Sequence, residues 1–282
     1  MRVFVCGKCI NMNPETKTIA DYFDENPNVD NTEIFNECWR ILSDLRAKLE
    51  KRFSFQRHPS CAGREYYQTP DETYEGSLNT FEGKEIEWMV HSWIGNRKAS
   101  ILDMNFTVWL GPQIDVPHLG IVFGTIPKIY HYSDCLPRRD LMANHDYLAK
   151  YYEPFNAEFL KLRSDARFET MVSHGSYMRA ILTPIAANYA TERDLKIIPV
   201  LEEYVHKLFD YWLNLVENAE ILPESEQLEI QKRDHYLRQA CYKFDPMNAL
   251  SRRFLGDELT DTLVNARMGR EQIASKGGQL IM

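Results

Sequence analysis

The chain has 282 residues, of which 44% are hydrophobic and 26% charged, with a net charge of −8 at pH 7. Such a chain can bury one large core, and its acidic balance argues against general nucleic-acid binding, which draws its affinity from a basic stripe. No apolar run approaches the roughly 20 residues of a membrane helix, and six cysteines scattered at 6, 9, 38, 61, 135 and 241 make no disulfide framework.

Residues 1–30 read as irregular, with Pro14, Pro27 and repeated Asn and Asp. Met1–Cys6 starts apolar but soon meets Lys8, Asn11 and Asn13, so neither a secretory h-region nor an Arg-rich transit peptide is expected, and the expected compartment is the cytosol. Cys6-Gly7-Lys8-Cys9 is a lone C-x-x-C without the second close pair of a four-cysteine zinc site. It reads as a reduced terminus or a redox pair.

Asn31 or Thr32 is expected to cap an amphipathic helix whose apolar positions Ile34, Phe35, Cys38, Trp39, Leu42, Leu45 and Leu49 recur at helical spacing. After Pro70 the period changes to 2. Strands are predicted over Thr73–Phe81, Lys84–Ile94, Ser100–Leu110, Pro117–Ile126 and Lys128–Cys135, joined by turns too short for anything but antiparallel neighbours. Beyond Pro137 the pattern is helical: Asn144–Tyr152, Phe155–Leu162, Leu195–Glu217, Glu224–Phe244 and Asp257–Met268, with one strand at Tyr177–Leu182, His174 in a loop and a flexible tail over 270–282. No linker or repeat divides the chain, so one domain over 1–282 is the simplest organisation. The fold expected is α/β: a three-layer α/β/α sandwich with a central antiparallel meander and helices on both faces.

Successive side chains on a strand point to opposite faces. On Ser100–Leu110 one face carries Leu102, Met104, Phe106, Val108 and Leu110, and the other Ile101, Asp103, Asn105, Thr107 and Trp109. The polar and aromatic face is expected to line a cavity or to meet solvent. On the preceding strand His91 and Trp93 are expected to join it, and His118 is a further candidate. No G-x-S-x-G, H-E-x-x-H, P-loop or G-x-G-x-x-G is present, so no tightly bound metal or nucleotide is expected. His131 with Asp134 is the closest metal-like spacing, and it lacks further ligands.

The block Leu136-Pro137-Arg138-Arg139-Asp140-Leu141, the run His145-Asp146-Tyr147-Leu148 with Tyr151-Tyr152, Ser92-Trp93 upstream and Ser176-Tyr177-Met178-Arg179-Ala180 downstream carry a resemblance. Over roughly Tyr74–Met268 the chain resembles the red chlorophyll catabolite reductase family, distant relatives of the ferredoxin-dependent bilin reductases. The resemblance implies the same sandwich and a reaction without flavin or metal. Electrons pass from reduced ferredoxin directly to a bound open-chain tetrapyrrole, while the protein supplies shape and protons. It also implies an acid upstream of Ser92-Trp93, for which Glu75 fits better than Glu72, and a second acid in the C-terminal helices, with Glu203, Asp210 and Asp234 competing.

On this reading Glu75 with His91 or Asp103 delivers protons, and Asn105, Trp93, Trp109, His118 and, at the pocket rim, Arg138 contact substrate. Arg179 pairs with an acidic substrate group or else makes a surface salt bridge, and ferredoxin docks near Arg138 and Arg139, which with Lys128 and Lys150 form the best basic cluster. The chain departs from the standard bilin reductases where they carry a catalytic Asp after a strand glycine: here Ile121 and Val122 follow Gly120. An unpigmented bacterial relative with changed chemistry fits that departure. The alternatives are a cofactor-independent lyase or isomerase acting on a bulky phenolic, lignin-derived compound, for example releasing formaldehyde, and a non-catalytic tetrapyrrole carrier. The partners expected are a small aromatic or tetrapyrrole substrate and ferredoxin, without nucleic acid or membrane, and a homodimer is left open.

Overall fold

The computed structural model describes residues 28–99, 101–125, 128–173 and 175–281. The Cys6–Cys9 pair, most of the irregular N-terminal segment and His174 lie outside the described residues. Helix α1 (Thr32–Glu50) buries Ile34, Phe35, Cys38, Ile41, Leu42, Leu45 and Leu49, one stripe at spacings of three and four. Its first turn is capped by Asp30, whose Oδ1 accepts from the Thr32 amide at 2.8 Å. Asn31 turns inward instead and donates to Thr125 Oγ1.

Strands β1 (Phe55–Arg57), β2 (Tyr67–Gln68), β3 (Glu75–Gly83), β4 (Ile86–Asn96), β5 (Ile101–Leu110), β6 (His118–Thr125) and β7 (Ile129–Leu136) follow. Then come α2 (His145–Tyr151), α3 (Asn156–Arg163), β8 (Glu169–Thr170), α4 (Ser176–Ala180), β9 (Ala187–Thr191) and α5 (Ile198–Glu217). The C-terminal helices are α6 (Glu224–Lys243), α7 (Met247–Leu255), α8 (Asp257–Met268) and α9 (Arg270–Ser275). The sheet order is β1-β3-β4-β5-β6-β7-β9-β8, with β2 also on β3. Neighbours pair antiparallel throughout, so β3 to β7 form the expected meander. The strand expected at Tyr177–Leu182 is the short helix α4, and β9 takes the sheet position beside β7.

Two apolar layers sandwich the sheet. On one face Met89, Met104, Phe106, Val108 and Phe123 pack with α1, α2, α3 and α5. On the other, Leu78, Trp88, Val90 and Trp109 pack with Leu237 and Tyr242 of α6 and Leu263 and Ala266 of α8. A bulge in β4 between Ile86 and Trp88 breaks the simple alternation. It leaves Ile86 in the first layer and turns both Glu87 and Trp88 towards the C-terminal helices.

The tail is not frayed as expected. Gly269 (φ 65°) makes the left-handed turn into α9 and lies against Trp88, where a Cβ would fall 2.9 Å from the indole. Lys276 Nζ then reaches Glu87 Oε1 at 3.1 Å, and the Ile281 amide donates to Gln239 Oε1 at 3.1 Å. No helix among the described residues is long and apolar enough to cross a membrane.

Candidate active site

The sheet register builds the site. Residues directly opposite across an antiparallel pair share a face, so Asp103 lies in a row with Gly124 and Tyr130, and Asn105 in a row with Val122 and Tyr132. Thr107 lies opposite Gly120. These rows form the floor of a cavity of about 200 Å³ between the sheet and the C-terminal helices. The two glycines hollow it: a Cβ on Gly120 would sit 3.4 Å from Tyr132 Cε1, and one on Gly124 would sit 3.5 Å from Tyr130 Cδ1. Each tyrosine ring leans over a missing side chain. Tyr242, Asp245 and Met247 close the cavity from the α6–α7 junction, Arg267 from α8, and Met171, Met178 and Ile181 from the segment around α4.

Two carboxyls face this space with opposing influences on each. Burial raises Asp103 to about 6; Arg267 pulls it down and Asp245 pushes it up. Burial also raises Asp245, against the Met247 amide, which donates to its Oδ1 at 2.9 Å, and against Arg267. Desolvation disfavours the charged form, so both acids hold their protons to higher pH than an exposed aspartate. The Arg267 guanidinium lies 4.9 Å from the centroid of the Tyr242 ring, and Tyr242 OH is 2.5 Å from Thr107 Oγ1. The cavity thus combines two acids with raised pKa, one guanidinium and three tyrosines on largely apolar walls.

Of the residues singled out from sequence, Asp103, Asn105, Thr107 and Trp109 line this cavity; Glu75, His91, Trp93, His118, Arg138 and Arg179 do not. Glu75 is held by a bidentate pair with Arg97 (2.7 and 2.9 Å) and by the Tyr66 hydroxyl at 2.8 Å. Burial opposes its ionisation, but those bonds prevail and hold the carboxyl below its ordinary value. It is therefore a poor proton store, and it stands off the cavity.

His91 and Trp93 point the other way, because their register partners are Phe106 and Met104. His91 stacks on Trp39 of α1 at 4.0 Å, and Trp93 meets Phe35 edge-on at 4.7 Å. Burial, with help from Arg46, lowers His91 to about 3, so it stays neutral.

His118, Arg138 and Asp234 form one buried cluster instead of a rim. His118 Nδ1 accepts from the Leu110 amide at 3.0 Å, which leaves the ring proton on Nε2, 3.0 Å from Asp234 Oδ1. Arg138 Nε donates to Asp234 Oδ2 at 2.9 Å, and its Nη1 donates to the carbonyls of Gly111 and Ile114. With Arg138 1% exposed, no docking protein can reach it. Arg139 is paired with Asp115 and Glu226, and Lys128 with Glu169 and Glu192, while Lys150 Nζ lies 4.9 Å from the centroid of the Tyr151 ring.

Arg179 is exposed on α4 and donates to the Ser173 carbonyl at 2.6 Å; the cavity arginine is Arg267. Among the candidates for the second acid, Glu203 of α5 pairs with Lys207 of the same helix and Asp210 of α5 with Lys48 of α1, across the sheet from the cavity. His131 is buried 3.0 Å from Ser133 Oγ and packs on Phe123 in the first layer. Asp134 bonds Thr183 near the opposite face, so these two residues cannot share a metal ion.

Sequence reasoning missed Asp245, Arg267, Tyr130, Tyr132 and Tyr242. The alternation Gly120-x-Val122-x-Gly124 against Tyr130-x-Tyr132 was the available signal, since small residues opposite aromatic ones on a single face mark a hollow.

A three-layer sandwich with a cavity between the glycine-bearing sheet face and the C-terminal helices has the bilin reductase-like fold. The chain superposes on the crystal structure of SeMet-phytochromobilin synthase from tomato in complex with biliverdin with a TM-score of 0.72, covering 85% of each chain at 18% identity. It is 22% identical over 249 residues to red chlorophyll catabolite reductase, chloroplastic, of Arabidopsis thaliana, spanning 80% of this chain and 78% of that protein. The family model described as red chlorophyll catabolite reductase (RCC reductase) matches residues 39–268. The chain belongs to the red chlorophyll catabolite reductase family.

Proposed function

We propose that the chain is a reductase of an open-chain tetrapyrrole, bound between the sheet floor and the C-terminal helices. The observation that carries this reading is the pairing of Asp103 and Asp245, two acids with raised pKa, beside Arg267 in one aromatic-walled cavity. Linear tetrapyrroles carry carboxylate side chains, which Arg267 suits by charge and bidentate geometry. The tyrosines and Trp109 offer flat surfaces to a conjugated ligand. A one-electron donor, reduced ferredoxin, supplies two electrons in two deliveries, and Asp103 and Asp245 supply two protons, so one double bond is saturated in each cycle. Geometry and a pKa near working pH are what a general acid needs.

The test is anaerobic incubation with a linear tetrapyrrole, biliverdin or red chlorophyll catabolite, with and without reduced ferredoxin. Bleaching of the long-wavelength bands that requires both protein and donor is expected. No bleaching overturns the reading, and turnover without donor replaces it with the lyase.

A second prediction concerns the floor. At Gly120 a Cβ meets only ordinary contacts, at 3.4 and 3.8 Å, so Gly120→Val is expected to fold normally and to project its methyls into the cavity. Biliverdin affinity, measured by absorbance titration, should fall at least about tenfold, which is 1.4 kcal/mol; unchanged affinity would place the pigment elsewhere.

A further inference from the structure

A second cavity, of about 40 Å³, lies between the sheet and helices α7 and α8. Asp103, Met247 and Arg267 border both cavities, so the carboxyl that stores a proton for the pigment also faces this smaller space. Two polar groups on its wall find no hydrogen-bond partner among the described residues: the hydroxyl of Thr260, a residue 1% exposed, and the buried Arg267 Nε. An unsatisfied buried polar group costs about 1–3 kcal/mol, and bound water is the usual remedy in protein interiors. A space of this size holds roughly three waters at about 10–15 Å³ each. Ser92, Ser251 and Tyr67 add polar groups to the same wall, in keeping with the two to four partners that a buried water needs. Tyr67 comes close because of Gly76, where a Cβ would fall 2.4 Å from the phenol ring and hydroxyl.

We propose that the second cavity is a hydrated proton inlet that recharges Asp103 between turnovers, with Thr260 and Arg267 holding its water. The proposal rests on the reading of the main cavity as a tetrapyrrole reductase site. When the Asp103 carboxylic acid gives its proton to the reduced pigment, its O–H bond breaks and a carboxylate remains. The nearest water then breaks an O–H bond as its proton joins the carboxylate oxygen, the next water restores the first, and the last draws a proton from bulk solvent. Nothing is oxidised or reduced in this relay; both electrons come from the one-electron donor. Because the relay uses a space apart from the pigment, Asp103 regains its proton without waiting for product to leave. Thr260 and Arg267 are positioning residues, acting through the water they hold.

Two variants test the inlet. Thr260→Val removes the hydroxyl at nearly constant volume, and Val264→Phe fills the space from its wall. In both, the first turnover of enzyme preloaded with protons at pH 5 is expected to keep the wild-type rate. Later turnovers should slow at least about fivefold, with a larger solvent isotope effect in D2O. The readout without turnover is hydrogen–deuterium exchange of the Asp103 carboxylic acid in the biliverdin complex without donor, followed by infrared difference spectroscopy against Asp103→Asn. Exchange slowed at least about tenfold in Val264→Phe supports the inlet. Unchanged exchange and unchanged later turnovers in both variants overturn the inlet alone, whereas failure of the wild-type chain to bind or bleach biliverdin and red chlorophyll catabolite overturns the site reading beneath it.

Discussion

Asp103→Asn is expected to lower the rate of pigment reduction by about 10²–10⁴, the usual worth of a positioned general acid, while biliverdin still binds. The asparagine keeps the shape of the side chain and loses only the transferable proton. Because burial raises Asp103 to about 6, the wild-type rate should fall as pH rises past that value, and this alkaline limb should shift in the residual activity of the variant, where Asp245 titrates alone. Two interacting acids titrate as a pair, so the measured value belongs to Asp103 and Asp245 together.

Stability moves in the opposite direction from activity. A carboxyl whose folded pKa lies above its ordinary value of 3.8 favours the fold at low pH, and that contribution is lost as pH rises from about 4 through about 6. At pH 8 the ionised carboxylate costs the fold up to about 3 kcal/mol, which Asp103→Asn removes. The variant is expected to unfold at higher urea than the wild type at pH 8, with the gap closing towards pH 4. Equal midpoints at both pH values would mean that Asp103 is not desolvated in the fold.

The largest loss of stability is expected from Asp234→Ala. Arg138 and His118 both depend on this carboxylate in a site closed to water, and removing one member of a buried ion pair costs about 3–5 kcal/mol because the other charge is left without compensation. The sign of its pH dependence is the reverse of that for Asp103. Burial opposes ionisation of Asp234, yet His118 and Arg138 hold its pKa below the ordinary value. Its contribution is therefore present above pH 4 and fades as pH falls further. Urea unfolding at pH 7 should show the full loss with an unchanged slope, and the loss should shrink towards pH 3. A loss near zero at pH 7 would show that the cluster tolerates an unpaired arginine. Glu203 and Asp210 pair only on the surface, and alanine at either is expected to leave the midpoint where it is.

The meander and the long helices were legible because their signals are local. Alternation over ten residues specifies β5, and spacings of three and four specify α1 and α5. The face assignment on β5 also held: Asp103, Asn105, Thr107 and Trp109 do line one cavity. Extending it to β4 failed because the register sets His91 opposite Phe106, and the bulge at Glu87 flips one end of the strand; neither can be read without the pairing. Asp245 and Arg267 were out of reach for a related reason. They sit at a helix junction and on a mixed helical face, and only the docking of α6, α7 and α8 onto the sheet brings them to Asp103. Arg138 stands out for its rigid Pro-Arg-Arg context, but a double arginine does not reveal that the first is buried on Asp234 and the second half-buried on Asp115 and Glu226.

The central claim is that a linear tetrapyrrole in the main cavity receives two electrons and two protons. Mass spectrometry of the product tests it most directly, after anaerobic incubation of red chlorophyll catabolite with the protein and reduced ferredoxin in water and in D2O. A product heavier by two hydrogens in water, carrying two added deuterons before back-exchange in D2O, and formed about 10²–10⁴-fold more slowly with Asp103→Asn, is the result expected. Recovery of the pigment unchanged, or a product of altered mass formed without ferredoxin, would contradict it.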